Sequence, residues 1–245
     1  MEQIWLVIPV VIFAGVVRGF SGFGFAAIAV VGLNFFLEPQ QSVALVLSLD
    51  LICSINLWRA ALKQADFATL KKLIMGSLLG IPLGYCFLLL IPSEILKAMI
   101  CFIIIALSLL LFSKFRPFNA DETGTKIGFG LASGAGTASA SVGGPMIVYY
   151  MLSSNLSTGS QRATMILFFM ASEGLAIITL IASGVVDNTL PKAILILVIP
   201  TLIAVQLGQF LFHRKPPQSL KSFALPVMML VALIGLINSG LILLT

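Results

Sequence analysis

Three ionisable side chains stand where an apolar chain has least reason to keep them. Arg18 lies in Gly-Val-Val-Arg-Gly-Phe-Ser-Gly-Phe-Gly-Phe, residues 15–25; Asp50 lies in Val-Leu-Ser-Leu-Asp-Leu-Ile; Glu173 lies in Phe-Phe-Met-Ala-Ser-Glu-Gly. A charge at membrane depth is costly, and it marks a pathway, a proton relay or a counter-ion. Arg18 has two readings: a ligand for an anion, or a structural partner of Asp50 or Glu173. The two acids are either proton carriers in transport or fixed counter-ions. Ser48, Asn56 and Gln206 are polar within apolar segments and are candidates for lining a cavity.

The second kind of chemistry is in the backbone. Gly15, Gly19, Gly22 and Gly24 surround Arg18 and Ser21. A comparable zone follows in the second half, with Gly128, Gly130, Gly134, Gly136, Gly143, Gly144 and Pro145 interleaved with Ser133, Thr137, Ser139 and Ser141. A helix that starts within the membrane points free N–H groups and a positive dipole end at whatever faces it, which favours an anion. Glycine allows close approach to that backbone. The candidate tips are therefore Arg18 to Gly24 (with Gly19, Ser21 and Gly22) and Thr137 to Pro145 (with Ser139, Ser141, Gly143 and Gly144). Pro145 suits the first turn of an outgoing helix, where its missing N–H costs nothing. The competing reading is packing, because small residues four apart let helices approach closely in lipid. It is the preferred one for Gly15, Gly19, Gly130 and Gly134. Arg162, in Ser-Gln-Arg-Ala-Thr, is either a topology anchor or a gate contact.

The elements that must position these residues are membrane helices. Of 245 residues, 59% are hydrophobic and 9% charged, against roughly 25% charged in soluble domains. The chain is predicted to be an all-α polytopic membrane protein with the lipid bilayer as partner. The net charge of +5 lies in short loops, where it reports topology rather than nucleic-acid binding. Cys53, Cys86 and Cys101 have no CxxC spacing and read as core residues. No HExxH, Walker A or G-x-S-x-G motif is present, and no cofactor or metal is called for. An enzyme is disfavoured for the same reason. The first residues lack the basic region of a cleaved signal peptide.

Eight apolar regions can be marked: 4–37, 41–61, 70–91, 95–113, 127–155, 162–184, 191–212 and 220–244. If all eight cross, Lys and Arg divide eight against five between the two faces. If the first and fifth are re-entrant hairpins, the division is eleven against two, with Arg18 in the membrane. The second division satisfies the positive-inside rule far better. It implies two inverted repeats, each a glycine-rich hairpin plus three spans: residues 1–113 and 127–245, joined by a cytoplasmic linker, 114–126. Both termini would then be non-cytoplasmic. Each hairpin arm would have about 12 residues, or about 18 Å. Offsets of 115, 123 and 124 align Gly15 and Gly19 with Gly130 and Gly134, Asp50 with Glu173, and Gly84 with Gly208. Interrupted segments at matching places in two halves point to a transporter's binding site.

The residues Gly15-Val-Val-Arg-Gly-Phe-Ser-Gly-Phe-Gly-Phe-Ala-Ala, Ser133-Gly134 through Gly143-Gly144-Pro145, and Gln161-Arg162-Ala163-Thr164 resemble motifs of the TauE/SafE sulfite exporter family of anion permeases. The resemblance covers essentially the whole chain. It departs at Phe23-Gly24-Phe25, where many members run three glycines together. It implies a carrier in the bacterial inner membrane for sulfite, organosulfonates or thiosulfate, acting as an exporter. An anion channel, a carrier for carboxylates or other small anions, and a purely structural subunit are the alternatives. Asp50 or Glu173 would couple transport to protons. A homodimer is compatible with the sequence.

Overall fold

The computed structural model describes residues 4–112, 118–184 and 190–214, and five isolated residues beyond. Most of the eighth apolar region, 220–244, both termini and residues 114–117 of the linker fall outside the described residues. The described part is helical: α1 (Ile4–Ser21), α2 (Phe25–Leu33), α3 (Pro39–Ala61), α4 (Phe67–Leu90), α5 (Ser93–Phe112), α6 (Thr123–Ala140), α7 (Gly144–Met151), α8 (Thr158–Ala182) and α9 (Leu190–Arg214). Three of these helices, α4, α8 and α9, are long and apolar enough to cross a membrane, and α1 and α3 carry shorter apolar runs. This is a multi-pass membrane protein.

The first and fifth apolar regions are both broken. Between α1 and α2 the chain passes through Gly22 and Gly24 at φ 81° and 95°, values that suit glycine. The chain then turns back, because Gly32 of α2 lies against Val10 of α1. Between α6 and α7 the break is at Ser141, with φ 57°, and α7 returns until Tyr149 and Tyr150 stack beside Phe129 at 6.0 and 5.5 Å between ring centroids. Pro145 lies in the first turn of α7, as its missing N–H predicts. The arms are unequal, however. They run 18 and 9 residues in the first hairpin and 18 and 8 in the second, not about 12 each.

The long arms follow from how they are held. Gly15 faces Thr201 and Ala204, Gly19 faces Val205 and Gln209, and Gly208 faces Val16 to Phe20. Contact advances in the same direction on both helices, so α1 and α9 run parallel. The same argument applies to α4 and α6: Gly76 meets Ile127 and Leu131, Gly80 meets Leu131 and Ala135, Gly84 meets Ala135, and Gly130 and Gly134 meet Leu73 and Ser77. Lipid supplies no hydrophobic drive between helices, so close backbone contact takes over that role. Each first arm is thus gripped along its length by a helix of the other half. Gly84 and Gly208, aligned by the sequence offset, occupy matching places in the two seams.

Helices α3 and α8 pack together between these pairs and run antiparallel. The Asp66 N–H after α3 donates to Thr164 Oγ1 near the start of α8, at 2.9 Å, and Gln64 lies beside Gly159. Lys72 Nζ donates to Thr123 Oγ1, Tyr150 Oη to the Ala120 carbonyl and Asn155 Nδ2 to Asp121. The ends of α3 and α7 and the starts of α4, α6 and α8 therefore share one end of the bundle, with Lys63, Lys71, Lys72 and Lys126.

Candidate functional site

The two breaks meet. A cavity of about 20 Å³ is lined by Gly24, Ala26 and Ala27 from the first hairpin, Thr137, Ser141, Gly144 and Pro145 from the second, and Arg18, Asp50 and Glu173, with Phe23, Leu47 and Phe169 as apolar walls. It has room for about one water molecule. The first turns of α2 and α7 both border it. Their leading N–H groups have no partner inside their own helices, so the cavity collects two positive dipole ends.

Arg18 is 1% exposed. Its Nε lies 3.2 Å from Asp50 Oδ1, an ion pair without the alignment of a hydrogen bond. Its Nη2 donates to Ser54 Oγ at 2.7 Å. The guanidinium carbon lies 5.2 Å from the Phe169 ring centroid. Asp50 and Glu173 are 2% and 3% exposed, and both line the cavity beside Arg18. Glu173 Oε2 is buried without a partner. One guanidinium and two carboxyls thus form a single cluster, which brings together the three ionisable residues singled out in the sequence.

The other expected residues divide. Thr137, Ser141, Gly24 and Gly144 line the cavity. Ser21 Oγ lies 2.7 Å from the Val17 and Phe23 carbonyls, so its hydroxyl closes the first tip. Gly143 is packed against Ser133, whose Oγ donates to the Gly143 carbonyl, and Ser139 donates to Ala135 within α6. Gly19 belongs to the seam with α9. Gly22 sits against the Arg162 side chain, and Arg162 stacks on Phe212 with 4.9 Å to the ring centroid, apart from the cavity lining. Ser48 donates to Ala44. Gln206 is on the exposed face of α9. The Asn56 side chain lies outside the described residues.

Ser54 and Phe169 escaped the sequence reading. Ser54 follows Asp50 by four residues and Phe169 precedes Glu173 by four, and that spacing puts each pair on one helix face. The signal was there, but nothing in it said which residue of α1 the face would meet.

No curated protein and no solved structure was found to be significantly similar to the chain. The family model described as "Sulfite exporter TauE/SafE" matches residues 7–234. That span takes in both broken helices, the Arg18–Asp50–Glu173 cluster and both glycine seams, and the chain accordingly belongs to the TauE/SafE family of sulfite exporter-type membrane transporters.

Proposed function

We propose that the protein is a secondary transporter that moves a small sulfur-containing oxyanion (sulfite, an organosulfonate or thiosulfate) out across the bacterial inner membrane, with protons as the coupling ion. The anion binds between the two hairpin tips. One observation carries this reading: two helix N-termini, the hydroxyls of Thr137 and Ser141 and a buried guanidinium border a single cavity. Every one of these groups favours negative charge. Asp50 and Glu173 do not, and they temper the site by holding Arg18 when no anion is present. A cavity of about 20 Å³ is too small for an oxyanion of four or more heavy atoms, so the tips part during the cycle, as alternating access requires. Arg162 serves as a contact at the basic end, beside Gly22.

In this reading the chain forms two inverted repeats, 1–113 and 127–245, whose hairpins are re-entrant and whose termini face away from the cytoplasm. Three observations support it. Connections of five residues each, 34–38 and 62–66, set α3 against α2 and α4 against α3, so α4 runs opposite to α1. Helix α6 is parallel to α4 and is therefore also opposite to α1. The clustering of Lys63, Lys71, Lys72 and Lys126 at one end of the bundle agrees with a cytoplasmic face there.

A thermal-shift screen in detergent across pH tests the substrate class. Sulfite, thiosulfate or an alkanesulfonate at 100 times its Kd is expected to stabilise the folded state by about 2.7 kcal/mol. Stabilisation by carboxylates alone would move the substrate out of the sulfur oxyanions.

A further inference from the structure

We infer that Arg18, Asp50 and Glu173 form a single exchange unit in which a monovalent anion and one proton occupy the site together, so that transport is electroneutral anion–proton symport and net export follows when the outward anion gradient exceeds the inward proton gradient. This rests on the transport reading above and adds its stoichiometry and the place of coupling.

The argument is a charge count at a buried site. One guanidinium and two carboxyls, all buried around one cavity, balance only if one carboxyl keeps its proton. The resting cluster is then one guanidinium, one carboxylate and one carboxylic acid, with no net charge. Asp50 holds the guanidinium at 3.2 Å, and both residues line the cavity into which the anion would come. An anion entering alone would leave one uncompensated negative charge among residues no more than 3% exposed, which low-dielectric surroundings penalise heavily. An anion entering with a proton restores neutrality: Asp50 releases Arg18 as it takes the proton, and the anion takes the place of its carboxylate. Glu173 Oε2, buried and unpartnered on the cavity wall, is the open position on the carboxyl pair. On exit the proton leaves with the anion and the ion pair re-forms.

Among the described residues few other titratable groups lie near the cluster. Helix α3 adds the Cys53 thiol and, in its last turn, Arg59, and α8 adds Arg162 at its start. Helix α2 carries no titratable residue; α6 has Lys126 at its far end, α7 has Tyr149 and Tyr150 in its last turn, and α9 has Lys192, His213 and Arg214 near its ends.

The test uses purified full-length protein in liposomes with an entrapped pH dye and methanesulfonate, whose charge does not change across the working pH range. An inward methanesulfonate gradient should acidify the lumen by about one proton per anion, and clamping the membrane voltage should leave the rate unchanged. In the double variant Asp50→Asn/Glu173→Gln, the proton-to-anion ratio should fall to zero and flux should become voltage-dependent. Methanesulfonate entry without acidification in the wild type, or acidification that persists in the double variant, overturns the proposal. Because the wild-type ratio decides alone, a poorly folded variant does not blunt the test. Absence of any methanesulfonate, sulfite or thiosulfate flux would count instead against the transport reading.

Discussion

Replacement of Arg18 by alanine is expected to abolish anion binding and to destabilise the protein by about 3–5 kcal/mol, the usual cost of removing one partner from a buried ion pair. The two losses have different causes and can be separated. Stability falls because Asp50, 2% exposed, loses the guanidinium at 3.2 Å, while the Ser54 hydroxyl loses its donor. Binding falls because Arg18 is the cation that lines the cavity. The double variant Arg18→Ala/Asp50→Asn removes both charges of the pair. It should recover most of the melting temperature and none of the anion-dependent shift. Arg18→Lys keeps a charge but loses the planar fork, so it should retain a weak shift. Thermal unfolding in detergent with and without sulfite reads all three. Full anion binding by Arg18→Ala would make the residue purely structural.

The second large effect is expected at the glycine seams. A methyl group at Gly130 would land on the Leu73 carbonyl, 2.8 Å from its carbon and 2.9 Å from its Cα. At Gly80 it would meet the Leu131 carbonyl and lie 2.9 Å from the Ala135 nitrogen; at Gly19 it would meet the Val205 carbonyl and lie 2.9 Å from the Gln209 nitrogen. The obstacles are backbone atoms of a parallel helix, so no rotamer change relieves them and the helices must separate. Overpacking costs about 1–3 kcal/mol, occasionally more, and these sites belong at the upper end. Gly128 supplies the control from the same helix as Gly130, because a methyl there meets nothing within 4 Å. Gly128→Ala should be neutral, or stabilising by up to about 1 kcal/mol from helix propensity. The yield of monodisperse protein in size-exclusion chromatography should separate Gly130→Ala, Gly80→Ala and Gly19→Ala from Gly128→Ala. Equal yields would mean that the seams are looser than their geometry.

Much of this was legible in the sequence. The breaks at Gly22–Gly24 and Ser141–Gly143 fall inside the stretches that glycine and hydroxyl content marked as tips, because lipid tolerates an unpaired backbone only where protein or a cavity covers it. Three ionisable residues in apolar surroundings were bound to find one another, since none is stable alone there. The packing role preferred for Gly15, Gly19, Gly130 and Gly134 matches their places in the seams. What could not be read was set by the register between helices. Which face of α3 meets Arg18, and so the role of Ser54, depends on how deep α1 sits against α3. Ser21 looked available to a ligand, but the tightness of the tip turn commits its hydroxyl to the Val17 and Phe23 carbonyls. The unequal arms follow from the parallel grip of α9 and α4, a contact between halves that no local pattern encodes.

The central claim is that the two hairpin tips hold a sulfur oxyanion which the protein carries across the membrane. Counterflow in liposomes tests it most directly: vesicles preloaded with unlabelled sulfite or an alkanesulfonate and diluted into a trace of the labelled anion. The account predicts transient accumulation of label in wild-type vesicles and none with Arg18→Ala. Empty vesicles and wild-type vesicles behaving alike, for every sulfur oxyanion supplied, would contradict it.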